Sequence, residues 1–349
     1  MTTLISPDTE LILHVGAPKT GTSAVQRHFH AQADVLRRHG IHYPHHHLDA
    51  NGVSGGHGDL LAQALAAGPI AGRQAIAQNL AAARRAECRL LLSAESAFLH
   101  PQAIVATLPT SRFHVICLAR HPLDAVVSHH NQGVKRHRTK RPLRRLAAMI
   151  LAAREPPRSL SGEPLFEWRA CCGDERLTVL PYVVAGVPVD ATAMLRELIG
   201  LPAEAPAGQV NRSYTPGAVE LKRLVNHLPT KLLDAVDGEF DLRLQADADS
   251  RQEPRPTLTE LLDADTCAAL DRVFRPTVDR LEAEFGICLG RDVARPTTTI
   301  DTAEAVWSRL ADDPVFAARI RAVVTAARAA ESASPTFREL SRIIAANHG

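Results

Sequence analysis

Residues 11–27 constrain the fold of this chain most. Leu11 to Val15 form a short apolar run that reads as a buried strand. Gly16, Pro18 and Gly21 then force a tight, irregular turn. Thr22 and Ser23 are good residues for a helix start, and an amphipathic helix is predicted through about Arg38 with Val25, Phe29 and Leu36 on one side. Strand, glycine-containing turn and helix together aim backbone N–H groups and a helix dipole at a single anion. A phosphate or sulfate group is the ligand this geometry suits. An ordinary strand–turn–helix connection is the alternative.

The order of residues inside the turn narrows the reading. A Walker A loop carries its lysine directly after the second glycine, followed by a hydroxyl that holds Mg²⁺. Here Gly16 and Gly21 have the Walker spacing, but position 22 is threonine and the lysine stands earlier, at Lys19. A lysine on the crest of the loop can neutralise charge that builds on a bridging oxygen. The run Pro18-Lys19-Thr20-Gly21-Thr22-Ser23 resembles the 5′-phosphosulfate loop of sulfotransferases that use 3′-phosphoadenosine 5′-phosphosulfate (PAPS).

A second motif supports the resemblance. Phe113 to Ala119 read as a buried strand leading into Arg120, and His121-Pro122 opens a helix with proline at a tolerated first-turn position. Arg120 therefore sits at the carboxyl end of a strand, where a guanidinium can grip a phosphate with two parallel hydrogen bonds. Ser128 follows on the helix. Arginine and serine at this separation resemble the 3′-phosphate-binding motif of the same enzymes, in the same order along the chain.

Between these motifs, Arg89 to Ser93 form another predicted strand, ending in Ala94-Glu95-Ser96. In doubly wound sheets the carboxyl ends of the strands line the ligand crevice. A carboxylate there is placed for general-base work; alternatively Glu95 caps the helix near Pro101 or pairs with a neighbouring lysine. The resembling enzymes carry their base at this strand end, which makes Glu95 the leading candidate, with His57 and His14 behind it. The S-x-E form and the opening His14-Val-Gly resemble the bacterial carbohydrate-type branch. The resemblance also implies Tyr182, at the end of the predicted strand 176–182, as a residue near the adenine ring, a structural tyrosine being the alternative. It implies Arg212 and Ser213, in the Asn-x-Ser segment, as contacts on the 3′-phosphate side. The R-K-G loop of the cytosolic animal enzymes is missing.

The rest of the chain sets bounds. With 349 residues, 45% hydrophobic residues and 22% charged residues, it can bury the core of an ordinary globular protein. A formal net charge of +2 and 4% aromatics give no case for a nucleic-acid partner. Six cysteines in such a length fit reduced thiols and no disulfide framework. Met1 to Asp8 lack the pattern of a signal peptide and no apolar run is long enough for a membrane span, so a cytoplasmic protein is expected. Residues 45–58, with His45, His46, His47 and His57, lack metal-ligand spacing and read as a solvated loop beside the anion site. Lys135, Arg136, Arg138, Lys140, Arg141, Arg144 and Arg145 make a basic stretch, read as a solvated helix end or as a field for an anionic partner. Residues 188–200 read as a helix, 201–209 as a linker, and 237–251 as an acidic break in an otherwise helical last third, with helices at 256–285, 301–327 and 335–346.

The expected fold is α/β: a P-loop-type parallel sheet flanked by helices over residues 1–235, with a helical C-terminal extension over 236–349 that packs on the core, caps the acceptor site or forms a dimer. The resemblance implies metal-independent transfer of a sulfuryl group from PAPS to an acceptor hydroxyl on a carbohydrate or glycoconjugate. Pro18, Lys19, Thr20, Gly21, Thr22, Ser23, Arg120, Ser128, Tyr182, Arg212 and Ser213 would bind PAPS, and Lys19 and Glu95, with His57, would be the catalytic groups. The alternatives are a P-loop kinase using ATP and Mg²⁺, and a catalytically silent nucleotide-binding protein.

Overall fold

A computed structural model describes residues 5–48, 54–203, 213–251, 258–291, 301–331 and 334–346. Its strands are β1 (Leu11–His14), β2 (Ile41–His42), β3 (Arg89–Ser93), β4 (Phe113–Ala119), β5 (Leu177–Pro181), β6 (Val183–Val184) and β7 (Val187–Pro188). The first helices are α1 (Thr22–Ala31), α2 (Ala33–Arg38), α3 (Gly58–Ala66), α4 (Gly68–Arg85), α5 (Pro101–Thr107) and α6 (Pro122–His137). Next come α7 (Leu143–Ala153), α8 (Arg158–Ser161), α9 (Pro164–Cys172), α10 (Ala191–Leu198), α11 (Pro216–Val225) and α12 (Thr230–Asp234). The chain ends with α13 (Asp237–Ser250), α14 (Leu258–Leu261), α15 (Ala264–Phe285), α16 (Ala303–Leu310), α17 (Pro314–Glu331) and α18 (Pro335–Ala345).

The chain forms two compact units that interleave along the sequence rather than meeting near residue 235. One comprises residues 1–125, 155–210 and 272–292, the other 126–154, 211–271 and 293–349.

The first unit is α/β. Its five-stranded parallel sheet has the order β2-β3-β1-β4-β5. β1 pairs with β3 from Leu11 opposite Leu90 to His14 opposite Ser93, and with β4 from Leu11 opposite Phe113 to His14 opposite Ile116. Helices cover both faces, which is why these strands read as continuous apolar runs. Leu11, Leu13 and Val15 face a core shared with Leu80, Ile104 and Trp168, whereas Ile12 faces Val25, Phe29 and Leu36. From β1 the chain goes on to β2, towards one edge of the sheet, and from β4 to β5 at the other. The carboxyl ends of β1 and β4 thus flank the place where connections diverge, the usual position of a ligand crevice in such sheets.

Local departures from expectation have identifiable causes. The predicted helix to Arg38 is two helices parted at Gln32, and Leu36 still reaches the core of Val25 and Phe29. The helix expected over 188–200 begins only at Ala191, where the Asp190 carboxylate accepts from the N–H groups of Thr192 and Ala193. Val187–Pro188 before it pair with Val183–Val184 as a small antiparallel hairpin. Residues 45–48 and 54–58 are not simply solvated: His46, Ser54 and His57 are buried. Residues 49–53 lie outside the described residues.

The second unit is helical, with a core of Phe240, Trp307, Phe316 and Phe337 among others. The expected acidic break is instead helix α13. Phe240, Leu244 and Ala248 recur every four residues and bury one face, while the acidic residues find cations. Asp237 binds Lys222 and Arg138, Glu239 binds Arg243 and Arg319, and Asp247 binds Arg309. The region expected as one helix over 301–327 is divided into α16 and α17. The basic stretch includes a further helix, α7, which buries Ala147 and Ile150 and leaves Arg144 and Arg145 exposed.

Candidate anion-binding site at the carboxyl edge of the sheet

The loop from Gly16 to Gly21 leaves β1 between its two neighbours. Ala94 donates its N–H to the His14 carbonyl at 2.9 Å, and Val15 donates to Ile116 at 2.9 Å, so the stem that leads into the loop is pinned to both β3 and β4. Gly16 is required by space. A Cβ there would stand 2.3 Å from Thr22 Cγ2 and 3.0 Å from Thr20 Oγ1. Gly21 is required by conformation, with φ at 81°. Lys19 also adopts a left-handed backbone, φ 73°, which is uncommon for a side chain of this kind.

The first intrahelical bonds of α1 run from the N–H groups of Ala24 and Val25 to the Gly21 carbonyl, at 3.0 and 3.2 Å. The amides of Thr22 and Ser23 precede that ladder, at the positive end of the helix dipole. No side chain caps this helix, and no acidic residue lies in its first turn. The end of α1 therefore presents amide donors that no side chain caps.

Three neighbouring strands each add a side chain. Arg120, directly after β4, donates from Nη1 to the Lys19 carbonyl at 2.9 Å. Tyr182, directly after β5, lies beneath the Arg120 guanidinium, whose carbon is 5.3 Å from the ring centroid. The same ring is buried and would meet a Cβ on Gly21 at 3.5 Å, so it packs as part of the loop's support. Glu95, two residues after β3, accepts a hydrogen bond at Oε2 from Thr22 Oγ1. It does not cap α5, whose preceding residue is His100.

The remaining predicted residues divide. Thr20 is fully buried and its hydroxyl donates to the Ala17 carbonyl at 2.7 Å, which closes the loop from within. Pro18 is half-buried on the loop. His57 is not poised as a base: Nε2 lies 2.9 Å from the Pro44 carbonyl and Nδ1 accepts from the Ser93 N–H at 3.0 Å. Burial pushes its imidazole down to about 4. Ser128 lies on α6 and Ser213 shortly before α11, both in the second unit, and Arg212 lies outside the described residues.

The sequence reading did not foresee what lies behind the loop. His14 ends β1 and Ser93 ends β3 at the same register position, and His14 Nδ1 is 2.9 Å from Ser93 Oγ. The Ser93 side chain is also hydrogen-bonded to Tyr43, whose hydroxyl is 3.2 Å from His46 Nε2. The signal was a polar residue closing each of two apolar runs, Leu11–Leu13 and Leu90–Leu92.

Among the described residues, no group of three or more His, Cys, Asp or Glu side chains could hold a metal ion, and no helix is long and apolar enough to cross a membrane. Comparison of the chain with protein-family models, curated proteins and solved structures finds no match.

Proposed function

We propose that the chain transfers a sulfuryl group from PAPS to an acceptor hydroxyl, with a carbohydrate or glycoconjugate as the acceptor class and a cytoplasmic setting. The observation that carries this reading is the meeting of the Lys19 backbone, Glu95 and Arg120 around one helix start. Glu95 is hydrogen-bonded to the first residue of α1, and Arg120 holds the carbonyl of Lys19. The surroundings suit a phosphosulfate: amide donors, a lysine and an arginine on or beside the loop, and two glycines that let the loop adopt its tight path.

PAPS supplies, when bound, a sulfuryl group whose leaving group is a phosphate. Lys19 and the amides of Thr22 and Ser23 neutralise charge on the anion they hold, much as in phosphoryl transfer. Arg120 fixes the loop backbone and adds positive charge. Glu95 takes the acceptor's proton; its Oε2 is held by Thr22, which leaves Oε1 to face the acceptor. Ser128, Ser213 and Arg212 enter this reading through the family resemblance alone.

The first test is a metal-free thermal shift titration with 3′-phosphoadenosine 5′-phosphate (PAP), beside ADP and beside ATP with Mg²⁺. A ligand at a hundred times its Kd adds about 2.7 kcal/mol to stability. PAP should raise the melting temperature where ADP does not, and labelled PAPS should then donate sulfate to an acceptor. A response confined to ATP with Mg²⁺ would replace this reading with a kinase.

A further inference from the structure

His14 is the one histidine at the base of the loop, and its two nitrogens differ. The side chain is 1% exposed. Nδ1 meets Ser93 Oγ at 2.9 Å, while Nε2, equally buried, has no hydrogen-bond partner. That nitrogen is turned to the inner wall of the loop, 3.2 Å from where a Cβ on Gly16 would stand, in the space bounded by Thr20 and Thr22.

A neutral imidazole carries one N–H. Ser93 hydroxyl, itself bonded to Tyr43, can donate to Nδ1, which leaves the hydrogen on Nε2. A buried donor without an acceptor is costly, and such groups in native proteins call for an explanation. The loop and the bare start of α1 lie beside it. An oxyanion seated there would accept from Nε2–H and remove the cost, and it would gain a donor that adds no fixed charge.

We propose that His14, held in its Nε2–H tautomer by Ser93, donates a hydrogen bond to a phosphate or sulfate oxygen bound on the Gly16–Ser23 loop. The inference deepens the reading above by assigning a further ligand-binding residue, and it rests on that reading for the identity of the anion. Ser93 acts through His14 and is a positioning residue.

The test uses the full chain labelled with ¹⁵N-histidine, with the His14 signals assigned by their loss in His14→Gln. PAP and inorganic pyrophosphate are titrated separately, and binding is read in parallel by thermal shift. The free protein should show Nε2 protonated, and the Nε2–H resonance should move downfield as either ligand saturates. His14→Leu should weaken PAP binding about tenfold or more, and His14→Gln, which retains an N–H donor, should weaken it less. The wild-type spectra decide the matter even if His14→Leu fails to fold. A proton found on Nδ1, or PAP binding that leaves the His14 signals unmoved, overturns the inference while the sulfotransferase reading stands. Pyrophosphate that moves the resonance while PAP fails to bind supports the inference and removes PAPS as the ligand. If neither ligand binds, both fall.

Discussion

Thr22 Oγ1 donates a hydrogen bond to Glu95 Oε2, which ties the first residue of α1 to the turn that follows β3. One threonine therefore belongs at once to the start of α1 and to the hydrogen bond that holds the carboxylate beside it. The bond fixes which Glu95 oxygen is occupied.

That division of labour predicts different outcomes for the two partners. Glu95→Gln keeps an oxygen that accepts from Thr22 but cannot take a proton, so kcat should fall by about 10²–10⁴-fold with PAP affinity nearly unchanged. Thr22→Val keeps the shape and loses the donor. It should lower kcat by about tenfold, the worth of one hydrogen bond to a charged group. Single-turnover rates with labelled PAPS measure both, and unchanged turnover in Glu95→Gln would remove Glu95 as the base.

Lys19 separates stability from activity. Its backbone lies at φ 73°, a conformation that costs a non-glycine residue about 1–2 kcal/mol. Lys19→Gly relieves that cost, while the more flexible unfolded chain gives back about 0.4–1 kcal/mol. The variant should melt no lower than wild type, yet lose about 10²–10³-fold in kcat with the ammonium. A clear drop in melting temperature would show that the Lys19 side chain helps to hold the loop.

How much of this was legible depends on the range of the signal. The strand–turn–helix at 11–31 and the strands at 89–93 and 113–119 are local patterns, and their carboxyl ends carried the residues that meet. The Thr22–Glu95 and His14–Ser93 bonds are not local; they follow from the register of β1 against β3, which no single stretch of chain contains. The mistaken acidic break at 237–251 has the opposite cause. Its charges hid the four-residue recurrence of Phe240, Leu244 and Ala248, and their partners Lys222, Arg309 and Arg319 lie on other helices. For His57, the type of residue suggested chemistry, whereas Pro44 and Ser93 occupy both of its nitrogens.

The buried histidines of the first unit predict how it responds to acid. Burial pushes His14, His57 and His114 each down to about 4 from an ordinary value of 6.5. Between these values the unfolded chain binds more protons than the folded one. Their contribution is thus fully present above pH 6.5 and is lost as pH falls towards 4. With three such groups the slope should approach about 4 kcal/mol per pH unit below pH 5.5. Trp168 lies in the first unit and Trp307 in the second, so urea unfolding of Trp307→Phe followed by fluorescence isolates the former. His114→Gln should lower the slope by about a third, and a flat profile from pH 7 to 5 would contradict the burial of these rings.

In the second unit the decisive charge is Lys222, whose side chain is fully buried between Asp237 and Asp241, the latter at 3.2 Å. Removing one partner of a buried ion pair leaves the others uncompensated and costs about 3–5 kcal/mol. Lys222→Met replaces the stem with apolar volume and leaves two carboxylates facing each other. Arg138 still pairs with Asp237 at 2.8 Å, so the unmet charge falls mainly on Asp241. Burial already holds Asp241 above the usual carboxylate range, and loss of the lysine pushes it further the same way. The variant should therefore be strongly destabilised at pH 8 and less so at acid pH, because protonation of Asp241 removes its unmet charge. Urea unfolding followed by Trp307 in a Trp168→Phe background reads the second unit. Asp241→Asn combined with Lys222→Met should recover part of the loss at pH 8 and remove its dependence on pH. A loss that is the same at pH 8 and at acid pH would mean that the packing of the Lys222 stem, rather than its charge, holds α11 against α13.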